Sequence, residues 1–430
     1  MRRQHSNIAR LFNHLIWTFG EQVMSIGMPR LLLFPVAALL IGKQEFGIFV
    51  TAQSVILIIG LQPSNGLSTG LLRHLSAYSE SQQLQYCRAA LHMSHIAMII
   101  LIGVGLACLA TLGLYEIVAR DIVKCLIPLL LSLYPENQFA LILTELRIKR
   151  HFKRRTLWYG LRAIALVTFA IIGAFSGTAL GLAWGYLVGS SLAYAILLTS
   201  RRKWLSKIYD KKMGQSLKRV WLHMTIAGII VLSGPYLNRI ILSVWHTYSD
   251  VADLFAATSV VYLFMAPVTS GGGLLLSLLA RYNSIDAFTN RARKQFFVAI
   301  IVALVALPIF IKILGPLIVS LLFPAFGSNP RKLFEIAAWI APGLVLISFT
   351  RPFVVKFAPV HVTPIINGFG LVALLLPAIL LVPQFGATGA AWAMVIGAAV
   401  PGLLWCAAAA GVLLHVPIFH IKTVHYSASS

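Results

Sequence analysis

Long apolar runs separated by short basic clusters fill almost the whole of this 430-residue sequence. A helix needs about 20 mostly apolar residues to cross a bilayer, and twelve runs reach that length. Only 11% of the residues are charged and 59% are hydrophobic, whereas a soluble domain carries about 25% charged residues. The pattern predicts an all-α polytopic membrane protein. The predicted spans are residues 18–41, 46–69, 91–113, 122–143, 157–175, 178–199, 220–244, 253–280, 295–322, 334–355, 363–383 and 389–412.

The connections between these spans are too short for a soluble catalytic domain, since none exceeds about 20 residues. The sequence contains no nucleotide-binding loop and no nucleophile motif. Its four cysteines show no paired spacing, so neither a disulfide frame nor a metal site is expected. The sequence therefore favours a transporter without a bound cofactor over an enzyme.

Basic residues lie mainly on one side of the predicted membrane. With a cytoplasmic N-terminus, 26 lysines and arginines fall in cytoplasmic segments, 5 in outer segments and 4 within spans. Lys and Arg mark the cytoplasmic side, so both termini are predicted to be cytoplasmic. The formal net charge of +23 is then mostly topological, and it favours membrane lipids over nucleic acid as partners. We call the two sides cation-rich and cation-poor below.

The sequence divides into two similar halves. A shift of 206 positions places Pro29 on Pro235, and an arginine follows each proline closely, Arg30 in one half and Arg239 in the other. Transporters are often built from such repeats around a central site. We therefore predict an N-terminal lobe, a basic cytoplasmic linker, a C-terminal lobe and a cytoplasmic tail. These parts are residues 1–199, 200–219, 220–414 and 415–430.

Four cations lie within predicted spans, where an ionisable side chain is a functional candidate by default. Arg30 and Arg239 suit an anionic substrate, because a guanidinium pairs bidentately with phosphate oxygens. The alternatives are an ion pair between Arg30 and Glu21, nine positions away, and side chains that extend to the membrane surface. Lys312 is the third substrate-binding candidate, with the same surface alternative. Arg162, near the start of span 5, is expected to reach the cytoplasmic surface.

Other polar residues complete the candidate site. Tyr236 and Asn238 shortly precede the second arginine and are substrate-binding candidates, Tyr236 by stacking on a sugar. Embedded carboxylates are candidates for a proton or sodium site, or for polar lining of the cavity. For Glu136, which follows Pro135, the alternative is a structural kink held by hydrogen bonds to neighbouring backbone. The acidic candidates are Glu21, Glu136 and Asp253.

Prolines and glycines interrupt the spans that would line a transport path. Broken helices in matching positions of two halves indicate such a path, whereas small residues also serve close packing of membrane helices. The candidate gate or kink residues are Pro29, Pro63, Pro235, Pro267, Gly271 and Gly272.

Four segments resemble motifs of the polysaccharide exporters in the multidrug/oligosaccharidyl-lipid/polysaccharide exporter superfamily. One precedes the last span, one lies before span 2, one closes span 2 and one is the basic loop after span 4. Each motif is short, but together with twelve spans and two halves the resemblance covers nearly the whole chain. The segments are PQFGATGAAWAMV at 383–395, KQEFGIF at 43–49, NGLSTGLLRHL at 65–75 and ELRIKRHFKRR at 145–155.

The resemblance implies two six-helix lobes around a central cavity that opens alternately to each side of the bacterial inner membrane. It also implies a flippase that moves an undecaprenyl-diphosphate-linked oligosaccharide for surface polysaccharide of the O-antigen type, a part of lipopolysaccharide. A polysaccharide polymerase is then a candidate partner, and a proton or sodium gradient is a candidate driving force, as in an antiporter.

Two other functions stay open at this point. A multidrug exporter of the same superfamily moves cationic drugs, so its embedded carboxylates would be expected to outnumber its arginines, which is the reverse of this sequence. A glycan polymerase or ligase would be expected to have a large outer loop, and no predicted outer segment here has that length.

Overall fold

The computed structural model describes residue 13 and residues 16–60, 66–68, 70–71, 79–114, 119–200, 211–279, 290–359 and 361–414. This part of the chain consists of helices joined by turns, with no strand. A helical stretch at residues 16–22 leads into two π-helical turns, Val23–Gly27 and Pro29–Leu33, and a 3₁₀ turn spans Pro324–Phe326. The α-helices are α1 (Phe34–Gly60), α2 (Glu80–Leu114), α3 (Arg120–Ile142), α4 (Thr144–Ile148), α5 (Phe152–Ala174), α6 (Ala179–Ser200), α7 (Lys211–Trp245), α8 (Tyr248–Phe264), α9 (Ala266–Leu279), α10 (Asn290–Leu322), α11 (Asn329–Ala337), α12 (Ile340–Phe357) and α13 (Val362–Leu413).

The helices confirm the prediction of an all-α membrane protein. Nine helical segments in the described residues are long and apolar enough to cross a membrane, or ten when α8 and α9, bent by 52°, count as one span. Two of the nine contain a non-helical glycine, Gly42 in α1 (φ 79°) and Gly386 in α13 (φ 57°). Glycine adopts positive φ without steric penalty, so each of these segments is two spans joined by a one-residue break. When these two segments are divided there and α8 with α9 counts as one span, the helices match the twelve predicted spans.

Close packing of small residues holds the hairpin of α5 and α6 together. A Cβ on Gly185 would overlap the backbone carbonyl of Phe169, and a Cβ on Gly189 would lie 2.8 Å from the carbonyl oxygen of Ala165. Membrane helices approach closely where such small residues face each other. In the C-terminal lobe α13 packs against α7 and α12.

The two lobes meet through aromatic side chains on the cation-poor side. Phe255 of α8 contacts Phe34 and Phe46 of α1, with ring centroids 5.0 and 5.5 Å apart. Phe46 also lies 6.0 Å from Phe326 of the 3₁₀ turn. Edge-to-face aromatic pairs of this kind stabilise beyond the area they bury. They fix α1 against α8 beside the residues of the candidate site.

Candidate functional site

The first span departs from α-helical geometry around Arg30. Residues 16–22 are α-helical, the turns Val23–Gly27 and Pro29–Leu33 are π-helical, and regular α-helix resumes at Phe34. Proline has no backbone N–H and its ring crowds the preceding turn, which accounts for an irregular turn at Pro29. π-helical turns inside α-helices are frequent at functional sites. The first embedded cation therefore lies in the irregular part of its span.

Arg30 and Arg239, here called the central arginine pair, lie at the interface between the lobes. The guanidinium of Arg30 is 4.7 Å from the centroid of the Tyr262 ring. That of Arg239 is 4.9 Å from the centroid of Phe255 and 5.6 Å from that of Tyr236. Aromatic faces attract cations through the ring quadrupole, but they leave the positive charge in place.

No carboxylate pairs with the central arginine pair in the part of the chain that the structure describes. Nη1 of Arg30 and Nε of Arg239 are buried and have no hydrogen-bond partner there, and Arg239 is only 4% exposed. Neither arginine takes part in any of the ion pairs formed by the described residues. A buried cation without a partner is strongly unfavourable. A bound anion would remove this penalty.

A cavity of about 490 Å³ adjoins the central arginine pair, because the ring of Tyr262 forms part of its wall. Its volume is in the range of small-molecule binding sites. Most of the wall comes from α7, α9, α12 and α13 of the C-terminal lobe, while the N-terminal lobe contributes Gln22 and Arg147. None of the described wall residues is acidic. Besides Tyr262, the polar and charged wall residues are Gln22, Arg147, Thr269, Ser348, Arg351 and Asn367.

Two of these wall residues, Arg147 and Arg351, were not predicted. Both lie near the cation-rich ends of their helices, where basic residues also serve topology. Arg147 crosses between the lobes and donates a hydrogen bond from Nη2 to the carbonyl of Gly273, at 2.9 Å. The sequence does distinguish Arg351, because it lies within the apolar run of α12, more than one helical turn before the helix ends at Phe357. That position marks it as an embedded cation.

Two other arginines of the N-terminal lobe, Arg155 and Arg162, have carboxylate partners, which corrects two sequence interpretations. Arg162 does not reach the cytoplasmic surface but is buried and pairs with Glu136 through both carboxylate oxygens. Glu136 is therefore fixed by an arginine 26 positions away rather than by neighbouring backbone, and it is absent from the described wall of the cavity. Glu21 pairs with Arg155 of α5 at 2.7 Å, which leaves Arg30 without it.

The third acidic candidate, Asp253, joins the lobes. Its Oδ2 accepts a hydrogen bond from Nζ of Lys43 at 2.8 Å, and the same ammonium lies 5.8 Å from the centroid of the Phe326 ring. Asp253 is 1% exposed because it lies one turn inside α8, which begins with the capping box of Thr247 and Asp250. All three acidic candidates are thus ion-paired in this structure, and their use in ion coupling stays a prediction.

Two predicted substrate-binding residues lie elsewhere. Lys312 is exposed on the outer surface of α10, with Nζ 3.9 Å from the centroid of the Trp339 ring, because its side of the helix faces away from the lobe core. Asn238 is fully buried, and its Nδ2 donates to the carbonyl of Ala390 at 2.9 Å. It fastens α7 to α13 and does not line the cavity. Tyr236 does lie at the site, beneath Arg239.

The candidate kink residues have different environments. Pro29 starts the second π-helical turn, whereas Pro235 lies within the continuous helix α7 and lines the cavity. Pro267 follows the bend between α8 and α9. Gly272 lines the cavity and packs so closely that a Cβ would overlap the Ser348 carbonyl, while Gly271 lies beside Phe349 with room for a Cβ. Pro63 lies outside the described residues.

Comparisons with protein-family models and with curated proteins give no match, whereas solved structures match over nearly the whole chain. An outward-facing multidrug resistance MATE family transporter of the MOP superfamily aligns with a TM-score of 0.71 and 13% identity, covering 94% of this chain and 96% of its own. A Vibrio cholerae MATE transporter aligns with a TM-score of 0.69 and 14% identity, covering 97% of this chain and 99% of its own.

A third match is a MOP superfamily transporter from Pyrococcus furiosus, for which a reverse polarity of the binding pocket is described as suggesting a different function. It aligns with a TM-score of 0.64 and 15% identity, covering 93% of this chain and 92% of its own. At these identities the likeness establishes the fold alone. The fold is that of MATE transporters, with two lobes of six helices.

Proposed function

We propose that the protein is a membrane transporter for an amphipathic anion, namely a polyprenyl-diphosphate-linked oligosaccharide that it moves across the bacterial inner membrane. One observation carries this proposal. Between the lobes, Arg239 is buried and Arg30 is half-buried with its Nη1 buried, and neither has a carboxylate partner among the described residues. A cation in such a place is retained at a stability penalty, and an anionic substrate gives it a function.

The chemistry of the site suits a diphosphate. Guanidinium groups bind phosphate oxygens bidentately and hold their hydration weakly, so they suit phosphate binding in a dry site. The adjoining cavity adds Arg147 and Arg351 and no described acidic residue. Because Arg147 and Arg351 lie towards the cation-rich ends of their helices, the cations form a path from that side to the central arginine pair.

Aromatic and amide groups at the same place suit the sugar part of the substrate. Tyr262 and Tyr236 accompany the arginines, and Gln22 and Asn367 line the cavity. The oligosaccharide itself, a proton or sodium coupling and the polymerase partner are parts of this proposal that rest on the sequence resemblance.

The second candidate is a multidrug exporter, and the solved structures favour it over the flippase because two of them are named MATE transporters. A cationic drug would need an unpaired carboxylate. In the described residues the embedded carboxylates Glu21, Glu136 and Asp253 are all paired with cations. The charge of the cavity therefore favours an anion, and the reversed pocket polarity described for the Pyrococcus furiosus protein is a precedent within the fold.

Reconstitution into liposomes separates the two candidates. We expect headgroup translocation of a fluorescent polyprenyl-diphosphate glycan by the wild type, measured by quenching with a membrane-impermeant reductant under proton and sodium gradients. Arg30→Ala is expected to lower the rate at least about tenfold, the effect of losing roughly one charge-assisted hydrogen bond. Arg30→Lys should keep part of the wild-type translocation rate, because lysine retains the positive charge.

The matched control is Arg154→Ala, which removes an exposed arginine of α5 and should leave the rate unchanged. Efflux of a cationic dye without glycan translocation would establish the exporter instead. A wild-type rate in Arg30→Ala would exclude the diphosphate contact.

A further inference from the structure

A second pocket, of about 690 Å³, opens on the outer surface of the C-terminal lobe, away from the central arginine pair. It lies between α10 and α11, and Lys312 of α10 is in its wall. This side of α10 faces lipid, since its apolar side chains are largely exposed. Those side chains are Ile309 at 55%, Phe310 at 50%, Ile313 at 70% and Leu317 at 68%.

The neighbours of the Lys312 ammonium are those typical of a membrane boundary, here the one on the cation-poor side. Gly315, three residues further on, packs so closely against α11 that a Cβ would overlap the ring of Phe334. The Lys312 Nζ lies 3.9 Å from the centroid of the Trp339 ring, and Trp339 immediately precedes the membrane-crossing helix α12. Tryptophan is enriched at this boundary, and lysine reaches it from within the membrane.

The pocket offers both signs of charge. Arg331 and Glu335 of α11 line it together with Lys312. Arg331 and Glu335 are four positions apart on one helix, a spacing that normally favours an ion pair. Among the described residues neither they nor Lys312 form one, so two cations and one carboxylate are available to a ligand.

We propose that this pocket binds the headgroup of an aminophospholipid, phosphatidylethanolamine, in the leaflet on the cation-poor side. The phosphodiester lies between Lys312 and Arg331, the primary ammonium pairs with Glu335, and the start of an acyl chain covers Ile313 and Leu317. A purely anionic lipid would pair with the two cations, but it has no positively charged group to pair with Glu335. The proposal does not depend on which substrate the protein transports.

Competition between two lipids tests this site. The full-length protein is incubated in detergent with equimolar phosphatidylethanolamine and phosphatidylglycerol, and the retained lipid is counted by native mass spectrometry. We expect the wild type to prefer phosphatidylethanolamine about tenfold, the effect of one charge-assisted contact. Glu335→Gln should abolish or reverse that preference, and Lys312→Met combined with Arg331→Gln should lower retention of both lipids.

Lys332→Met is the matched control, because Lys332 is an exposed cation of the same helix and is not among the described lining residues. It should behave as the wild type. A wild-type preference for phosphatidylglycerol, an unchanged preference in Glu335→Gln, or an equal loss in Lys332→Met would each overturn the proposal. All these side chains are exposed, so a single symmetrical peak in size-exclusion chromatography suffices to show that the variants fold.

Discussion

Arg162 in the N-terminal lobe and Arg239 in the C-terminal lobe are both nearly inaccessible, at 9% and 4% exposure, yet only Arg162 has a carboxylate partner. Glu136 neutralises Arg162, and a second N-terminal pair joins Arg155 to Glu21. The central arginine pair contacts aromatic rings and has no carboxylate partner among the described residues. A paired buried charge is tolerated as long as its partner is present, whereas an unpaired buried charge is available for a substrate of opposite charge.

The strongest test of this comparison removes a partner in the N-terminal lobe. Glu136→Gln leaves Arg162 buried and unpaired, so we expect the free energy of unfolding to fall by about 3–5 kcal/mol. The measurement is reversible unfolding in mixed micelles. Arg239→Met, by contrast, strands no carboxylate and should leave stability unchanged or raise it.

The double variant Glu136→Gln with Arg162→Met is the control, and it should recover most of the lost stability, because replacing both partners of a buried pair is often neutral. Equal losses in Glu136→Gln and Arg239→Met would contradict the distinction between paired and unpaired buried arginines.

A smaller effect is expected when a carboxylate is added to the cavity. Gln22 lines the cavity and its Oε1 is buried without a hydrogen-bond partner. In Gln22→Glu the new negative charge competes with the substrate diphosphate for the nearby cations, so translocation should slow by about tenfold, equivalent to about 1.4 kcal/mol. Gln384→Glu, the same change at an exposed position, serves as the control in the liposome assay. An unchanged rate in Gln22→Glu would show that the cavity does not carry the anion.

The smallest effect is expected at the ion pair between the lobes. Asp253→Asn leaves Lys43 without its partner, but the Lys43 side chain is 27% exposed and can be hydrated. We therefore expect a loss of about 1 kcal/mol or less in the same unfolding measurement, in the range of partly exposed pairs. Asp121→Asn, which breaks an exposed pair with Lys124, should have no measurable effect. If Asp253→Asn lowered the free energy of unfolding as much as Glu136→Gln, solvent exposure would not determine the strength of these ion pairs.

The membrane-spanning helices were predictable from the sequence because a span is set by local apolar length, and all twelve have helical counterparts. Arg30 and Arg239 were predictable for a related reason, since each interrupts an apolar run. The partners of buried charges were not predictable. Glu136 and Arg162 lie in different helices, and only their packing shows that Arg162 turns inward rather than towards the membrane surface.

Residues near helix ends account for most of the remaining errors at the candidate site. Arg147 and Arg351 lie where basic residues also serve topology, so sequence position alone does not separate those that line a cavity from those that face the cytoplasm. For Lys312 the apolar neighbours were read correctly as a span, but which side of α10 faces lipid is decided by the packing of Gly315 on Phe334.

Very short turns on the cation-poor side have a practical consequence for work on this protein. Gly42 and Gly386 each reverse the chain within one helix, and α7 is separated from α8 by two residues. Proteases and antibodies applied from that side would find little backbone to attack at these turns, and an inserted epitope tag would disrupt the helices it joins. Labelling of single introduced cysteines with small thiol reagents is therefore the suitable way to map this face.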